Sequence, residues 1–184
     1  ELTDATTDGL SYQVEWHQET AYPDDSDENA YLSLYYPTFS GDHEELLESI
    51  NGKVREMIHR YDGSYTEDGA VVSTVVYVTL MEEDRLSLVC KYEVSGKNDY
   101  YGLYALNMDM TTGTEIPNST LLEVDDTLVT RFRVQNSKQN GSITWLDDMS
   151  DEELLKILSD DEKRVVFLTP VGTEVGVNTD DGWV

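Results

Sequence analysis

An α+β domain built mainly on antiparallel sheet is what this sequence predicts, and three patterns predict it. Strand-like alternation recurs over 11–18, 30–39, 70–82, 85–95 and 100–110. A single long amphipathic helix spans 42–61, in the N-terminal half. Glu82-Glu83-Asp84 and Gly96-Lys97-Asn98-Asp99 are short connections of the kind that join antiparallel neighbours.

The first strand follows a polar segment, 1–10, expected to be frayed. It puts Tyr12, Val14 and Trp16 on one face. The second carries Tyr31, Leu32, Leu34, Tyr35 and Tyr36, and ends at Pro37 and Gly41. The long helix repeats Leu46, Leu47, Ile50, Val54, Met57, Ile58 and Tyr61 on one side, with Asp42 and Glu45 as an expected capping box and Asp62-Gly63 as its stop. The strand over 85–95 faces Leu86, Leu88, Cys90, Tyr92 and Val94 inward. Two shorter helices are expected over 121–135 and 151–158, the second capped by Ser150 with Glu153. Residues 136–142 read as a polar loop, and 163–170 with 173–178 as a closing hairpin around Gly172. No repeat or long linker divides the chain, so 11–184 forms one domain.

Charge narrows the partners. The chain has 184 residues, 39% hydrophobic and 27% charged, with 12 Lys and Arg against 38 Asp and Glu, a net charge of −26. Thirteen acids precede the first base, Lys53. Such a surface repels nucleic acid and anionic lipid and favours a basic protein, a divalent cation or a neutral glycan. The uncharged run 69–81, which none exceeds in length, is too short to span a bilayer as a helix. Residues 1–9 show neither the basic nor the apolar part of a signal peptide. The single cysteine, Cys90, excludes an intramolecular disulfide and a cysteine-based zinc cluster.

Candidate chemistry is sparse. His17, His43 and His59 lack metal-ligand or catalytic spacing. Cys90 reads as a small core residue without a base to activate it. Asp25, Asp27 and Asn29 match three positions of a calcium loop, but Ala30 and Tyr36 stand where glycine and glutamate are needed, so only a looser Ca2+ site is expected there. Asn178-Thr179-Asp180-Asp181-Gly182 reads as a turn. No nucleophile-elbow, phosphate-loop or dinucleotide motif occurs. No catalytic residue or cofactor is assigned. Among twelve tyrosines, the adjacent pairs Tyr35/Tyr36 and Tyr100/Tyr101 each present one ring to either face of a strand. They are candidate binding surfaces, although cross-strand packing explains them as well.

Three segments carry a resemblance. Tyr36-Pro37-Thr38-Phe39-Ser40-Gly41 precedes a helix containing Ile50-Asn51; Asn107-Met108-Asp109-Met110-Thr111-Thr112-Gly113 precedes Leu121-Leu122; and Phe167-Leu168-Thr169-Pro170-Val171-Gly172 closes the series. Together they resemble a bacterial extracytoplasmic domain family of largely unassigned function. It occurs in the anti-sigma factor RsiV and beside some peptidoglycan deacetylases. In these motifs Asn107 and Asp109 are expected to fix the Gly113 turn. The resemblance implies a non-enzymatic binding or sensing module of the cell envelope, secreted or anchored through another segment. Its implied partner is a basic, lysozyme-like protein or cell-wall glycan. The alternatives are a carboxylate-dependent envelope hydrolase and a purely structural accessory domain.

Overall fold

The computed structural model describes residues 1–22, 30–62, 70–96 and 99–184. Among these residues, nine strands form two sheets, accompanied by five helices. In chain order they are β1 (Tyr12–Ala21), β2 (Leu32–Gly41), α1 (Glu44–Ile58), β3 (Val71–Met81), β4 (Arg85–Ser95), β5 (Tyr100–Asp109) and β6 (Thr114–Glu115). Then follow α2 (Asn118–Leu121), α3 (Asp126–Asn140), α4 (Thr144–Asp147), α5 (Asp151–Leu158), β7 (Arg164–Thr169), β8 (Gly172–Thr179) and β9 (Gly182–Trp183). The large sheet runs in sequence order from β1 to β6, and the small one from β7 to β9.

The expected α+β architecture is therefore present, with one departure: β2 and β3 are parallel. The connection through α1 permits this, because a crossover returns the chain in the same direction. The parallel ladder covers only Leu32–Tyr35 against Val72–Val75. Pro37 ends it, since a proline in the next ladder position offers no N–H. Beyond Pro37 the strand splays away, and the side chain of Asn51 on α1 replaces the missing neighbour. Its Oδ1 accepts from the Phe39 N–H at 2.8 Å, and its Nδ2 donates to the Phe39 carbonyl at 2.9 Å.

Helix α1 covers one face of the large sheet. Leu47, Ile50, Val54, Met57 and Ile58 pack against Leu32, Leu34, Val72, Val76, Leu88, Cys90 and Tyr92. Both faces of the β1–β2 hairpin feed this core, Leu32 and Leu34 from one and Tyr12 and Phe39 from the other, as a strongly twisted two-stranded ribbon allows. The expected Asp42 cap does not form. The Asp42 N–H is still in the ladder, donating to the Ser11 carbonyl at 3.0 Å, and the helix starts after His43. The helix also ends earlier than expected, at Ile58.

The opposite face of the large sheet is crossed by β7. A small cluster of Val89, Leu103 and Val165 lies between the sheets, with Phe167 and Leu2 against it. Polar groups join them as well. Ser87 Oγ accepts from the Leu168 N–H at 2.9 Å and donates to Asn107 Oδ1 at 2.7 Å, while Asn107 Nδ2 donates to the Val166 carbonyl at 2.8 Å. Both residues are almost wholly buried, and each main-chain group they satisfy on β7 is one that would otherwise be orphaned. The expected frayed segment is tied here: the Ala5 N–H donates to the Val78 carbonyl at 2.7 Å, and Asp4 Oδ1 accepts from the Val78 N–H at 2.9 Å.

The C-terminal helices pack on the far side of the small sheet. Val129, Phe132, Leu146, Leu154, Leu158 and Val177 form a separate core. The helix expected over 121–135 is displaced. A single turn, α2, precedes an extended Asp125, whose carboxylate caps α3 by accepting from the Leu128 N–H at 2.8 Å. Helix α3 then continues through the expected polar loop to Asn140, because buried Asn136 extends the inward stride of Val129 and Phe132. Helix α5 has the expected bounds and both halves of the Ser150–Glu153 capping box. Arg133 fastens these helices, donating to Asp151 at 2.8 Å and to the carbonyls of Leu146 and Met149 at 2.7 and 2.5 Å.

Candidate binding surface

The family-like motifs prove to be joints of the fold. Asn51 replaces a strand partner, and Asn107 ties the sheets together. Asp109 organises the turn at Gly113: its Oδ1 accepts from the Thr111 N–H and hydroxyl at 2.8 and 2.5 Å and from the Thr112 N–H at 3.3 Å. These bonds stabilise the ionised carboxylate and hold its pKa below the ordinary value. Gly113 has φ +71° and faces Leu46 of α1, where a Cβ would come within 3.3 Å. Gly41 is a close approach: a Cβ there would stand 2.3 Å from the Ser11 carbonyl oxygen.

The tyrosine pairs divide as expected and do not meet. Tyr35 and Tyr101 are exposed, whereas Tyr36 and Tyr100 are packed. Strands β3 and β4 separate the two pairs across the sheet. Tyr100 belongs to a cluster under the end of α1, with ring centres 4.9 Å from Tyr61. Arg60 lies beside it, its guanidinium 4.5 Å from the Tyr104 ring centre. Tyr35 joins a different group. Its ring stacks on Trp16 at 5.2 Å and 5°, and Tyr36 stacks on His17 at 5.4 Å while donating to Glu19 at 2.5 Å. Tyr22 and Tyr31 continue this group, 6.3 Å apart and 68% and 37% exposed. Trp16, Tyr22 and Tyr31 were not among the predicted surface residues. The hairpin register, which sets Trp16 opposite Pro37 and diagonal to Tyr35, is the signal that links them.

A cleft of about 770 Å3 adjoins this hairpin. Ser11 and Tyr12 form one wall, the first turns of α1 another, and Glu83 with the Gly113 turn the third. Glu44, Glu45 and Glu83 line it, and among the described residues His43 is the one potential cation there, with no lysine or arginine in the lining. Glu83 is held by the Ser11 N–H at 3.0 Å, and hydrogen bonding from Ser11 lowers its pKa. Hydrogen bonds lower the carboxyl pKa of Glu83, Asp109 and Glu153 among the described residues, the opposite of what a general acid needs.

The histidines stay apart. His17 bonds to Thr38 at 2.7 Å, His43 borders the cleft and His59 pairs with Asp62 at 2.6 Å. Cys90 is fully buried, and desolvation pushes its pKa up to about 12. Asp25, Asp27 and Asn29 lie outside the described residues; among the described residues, no three His, Cys, Asp or Glu side chains gather as a metal site. Of the turn expected over Asn178–Gly182, the structure places the turn itself at Asp180-Asp181 between β8 and β9, closed by Thr179 Oγ1 donating to the Gly182 carbonyl at 3.0 Å, while Asn178 lies in β8. No described helix is long and apolar enough to cross a membrane.

These features define an α+β domain with an acidic cleft and an aromatic edge hairpin. Neither a family model nor a curated protein matches the sequence. Its fold is similar to that of a solved DUF3298 family protein from Pseudomonas aeruginosa, with a TM-score of 0.55 and 14% identity over 91% of this chain and 82% of that one. A DUF3298 family member from Bacteroides fragilis aligns with a TM-score of 0.46 and 14% identity, over 95% and 90% of the two chains. The likeness is one of fold, to an uncharacterised domain type.

Proposed function

We propose that this domain is a non-enzymatic binding module of the bacterial envelope whose partner is a basic, lysozyme-like protein. The observation that carries the reading is the cleft bordered by Glu44, Glu45 and Glu83, with no lysine or arginine among its described lining residues, continuous through Ser11 and Tyr12 with β1. Carboxylates focused by a concave wall raise the local concentration of a cationic partner and speed its encounter. Further along the same hairpin, the rings of Trp16, Tyr35, Tyr22 and Tyr31 supply the amphipathic contact area that protein interfaces favour. The extracytoplasmic location rests on the RsiV-like motifs.

The test is binding of hen lysozyme by the domain and by its Glu44→Gln, Glu45→Gln double variant. Both side chains are exposed and form no hydrogen bond among the described residues, so the variant loses only their favourable charge at the start of α1, about 1 kcal/mol. The reading predicts an affinity lower by about tenfold, mostly through slower association. Unchanged affinity would move the partner away from this cleft.

A second reading, cell-wall glycan, is favoured by the stacked Trp16–Tyr35 pair, whose rings offer a platform for sugar faces. Binding of soluble peptidoglycan fragments that is indifferent to salt and lost in Tyr35→Ala would support it over the basic protein.

A further inference from the structure

The outermost strand of the large sheet leaves one edge open among the described residues. Strand β1 pairs with β2 through an unbroken ten-residue register, from Tyr12 opposite Gly41 to Ala21 opposite Leu32. Among the described residues, no strand lies along its other edge. The phase of the ladder is fixed at one end, where the Ser11 carbonyl accepts from the Asp42 N–H. Odd-numbered β1 residues therefore exchange bonds with β2, and even-numbered ones point their main-chain groups away. Phe39 agrees with this phase: it stands opposite Val14 and turns its own N–H and carbonyl outward to Asn51. Val14, Trp16, Gln18 and Thr20 thus present four N–H and four carbonyl groups along a free edge, with no main-chain partner among the described residues.

Edge strands in monomeric proteins are normally blunted by a bulge, a proline or a lysine. β1 has none of these. What it has is Glu15 and Glu19, on the face shared with His17 and Tyr36. Two such acidic edges repel each other, while a basic strand is attracted, so the edge discriminates against self-pairing and in favour of one charge class. Trp16 and Tyr35 lie on the opposite face and flank the same edge.

We infer that β1 is a strand-addition site, and that its occupant is an extended, lysine- or arginine-bearing segment of the partner protein. The segment adds a further strand to the large sheet, main-chain bonds supplying affinity and Glu15 and Glu19 selecting bases opposite them. This inference rests on the basic-partner reading and assigns it a mode of contact.

The test uses an end-blocked decapeptide alternating lysine and threonine, the same peptide N-methylated at every second residue to remove one edge of donors, and a glutamate–threonine control. Amide exchange of the domain is followed by NMR. The lysine peptide is expected to slow exchange at Val14, Trp16, Gln18 and Thr20 and to lose about tenfold or more in affinity when N-methylated. Gln18→Pro removes an outward N–H without touching the bonds to β2, and is expected to weaken binding similarly, while Gln18→Ala stays within about twofold. Equal binding of the methylated peptide, or of the Gln18→Pro domain, would overturn strand addition and leave a basic partner held by charge alone. Failure of the lysine peptide to bind overturns strand addition too, and if lysozyme also fails, the basic-partner reading falls with it.

Discussion

The side-chain amide of Asn178 meets both main-chain groups of Leu103, accepting from its N–H at 2.8 Å and donating to its carbonyl at 2.9 Å. It joins the small sheet to the outer edge of β5 much as a neighbouring strand would. Asn51 does the same for Phe39, and Asn107 with Ser87 serves the edge of β7. Asparagine suits this task because one planar amide carries a donor and an acceptor at the spacing of a peptide group. The two sheets and α1 are thus held together by side chains that close strand edges, as well as by apolar packing.

Removing one of these amides leaves two buried main-chain groups without partners. Asn51→Ala should cost about 2–4 kcal/mol, measured by chemical denaturation. Asn51→Asp should cost a similar amount, because a carboxylate cannot donate to the Phe39 carbonyl. A loss below about 0.5 kcal/mol would show that β2 closes onto another partner.

The Gly113 turn should be sensitive to pH. Asp109 has a folded-state pKa below its unfolded one, so its contribution is complete above the ordinary carboxylate range and fades as the pH falls through the folded-state value. Asp109→Ala should therefore be less stable than the parent at pH 7, with the difference shrinking below about pH 4. A difference that does not vary with pH would place the effect in packing rather than in ionisation.

Cys90 should be inert in the folded protein. It is fully buried and its pKa is raised to about 12, so the thiolate is scarce at neutral pH. A thiol-specific reagent at pH 8 should label it only at the rate of unfolding, and fully in denaturant. Fast labelling of the native protein would mean that the region beneath α1 opens readily.

Gly41 should resist substitution. A Cβ there would strike the Ser11 carbonyl, and β1 would have to shift away from β2. Gly41→Ala is expected to cost about 2 kcal/mol, read from the thermal midpoint. Gly9→Ala, at a position with open space around it, strains only its own backbone and should cost less.

Much of this fold is legible in the sequence because its signals are local. The alternation over 85–95 gives the bounds of β4, and Ser150 with Glu153 gives those of α5. The parallel β2–β3 pairing was not legible, since Pro37 and Asn51 are ordinary residues until the strands are placed beside each other. Helix α3 was misplaced because its buried face includes a polar residue, Asn136. Of the site, the separate roles of the two tyrosines in each pair follow from strand geometry. The cleft does not, because Glu44, Glu45 and Glu83 come together only when the β3–β4 hairpin folds back beside α1. Asn107, Asp109 and Gly113 stand out in the sequence as a motif, but only Asp109 and Gly113 build the turn that forms the cleft's third wall, while the Asn107 side chain ties β5 to β7 instead.

The most direct test of the account is the affinity of the domain for hen lysozyme at about 50 mM and about 300 mM salt, with cytochrome c as an equally basic control. The account predicts lysozyme binding that weakens steeply with salt, at an affinity that cytochrome c does not reach at either concentration. Equal binding of both proteins would reduce the acidic surface to a nonspecific attractor, and no binding of lysozyme at low salt would contradict a lysozyme-like partner.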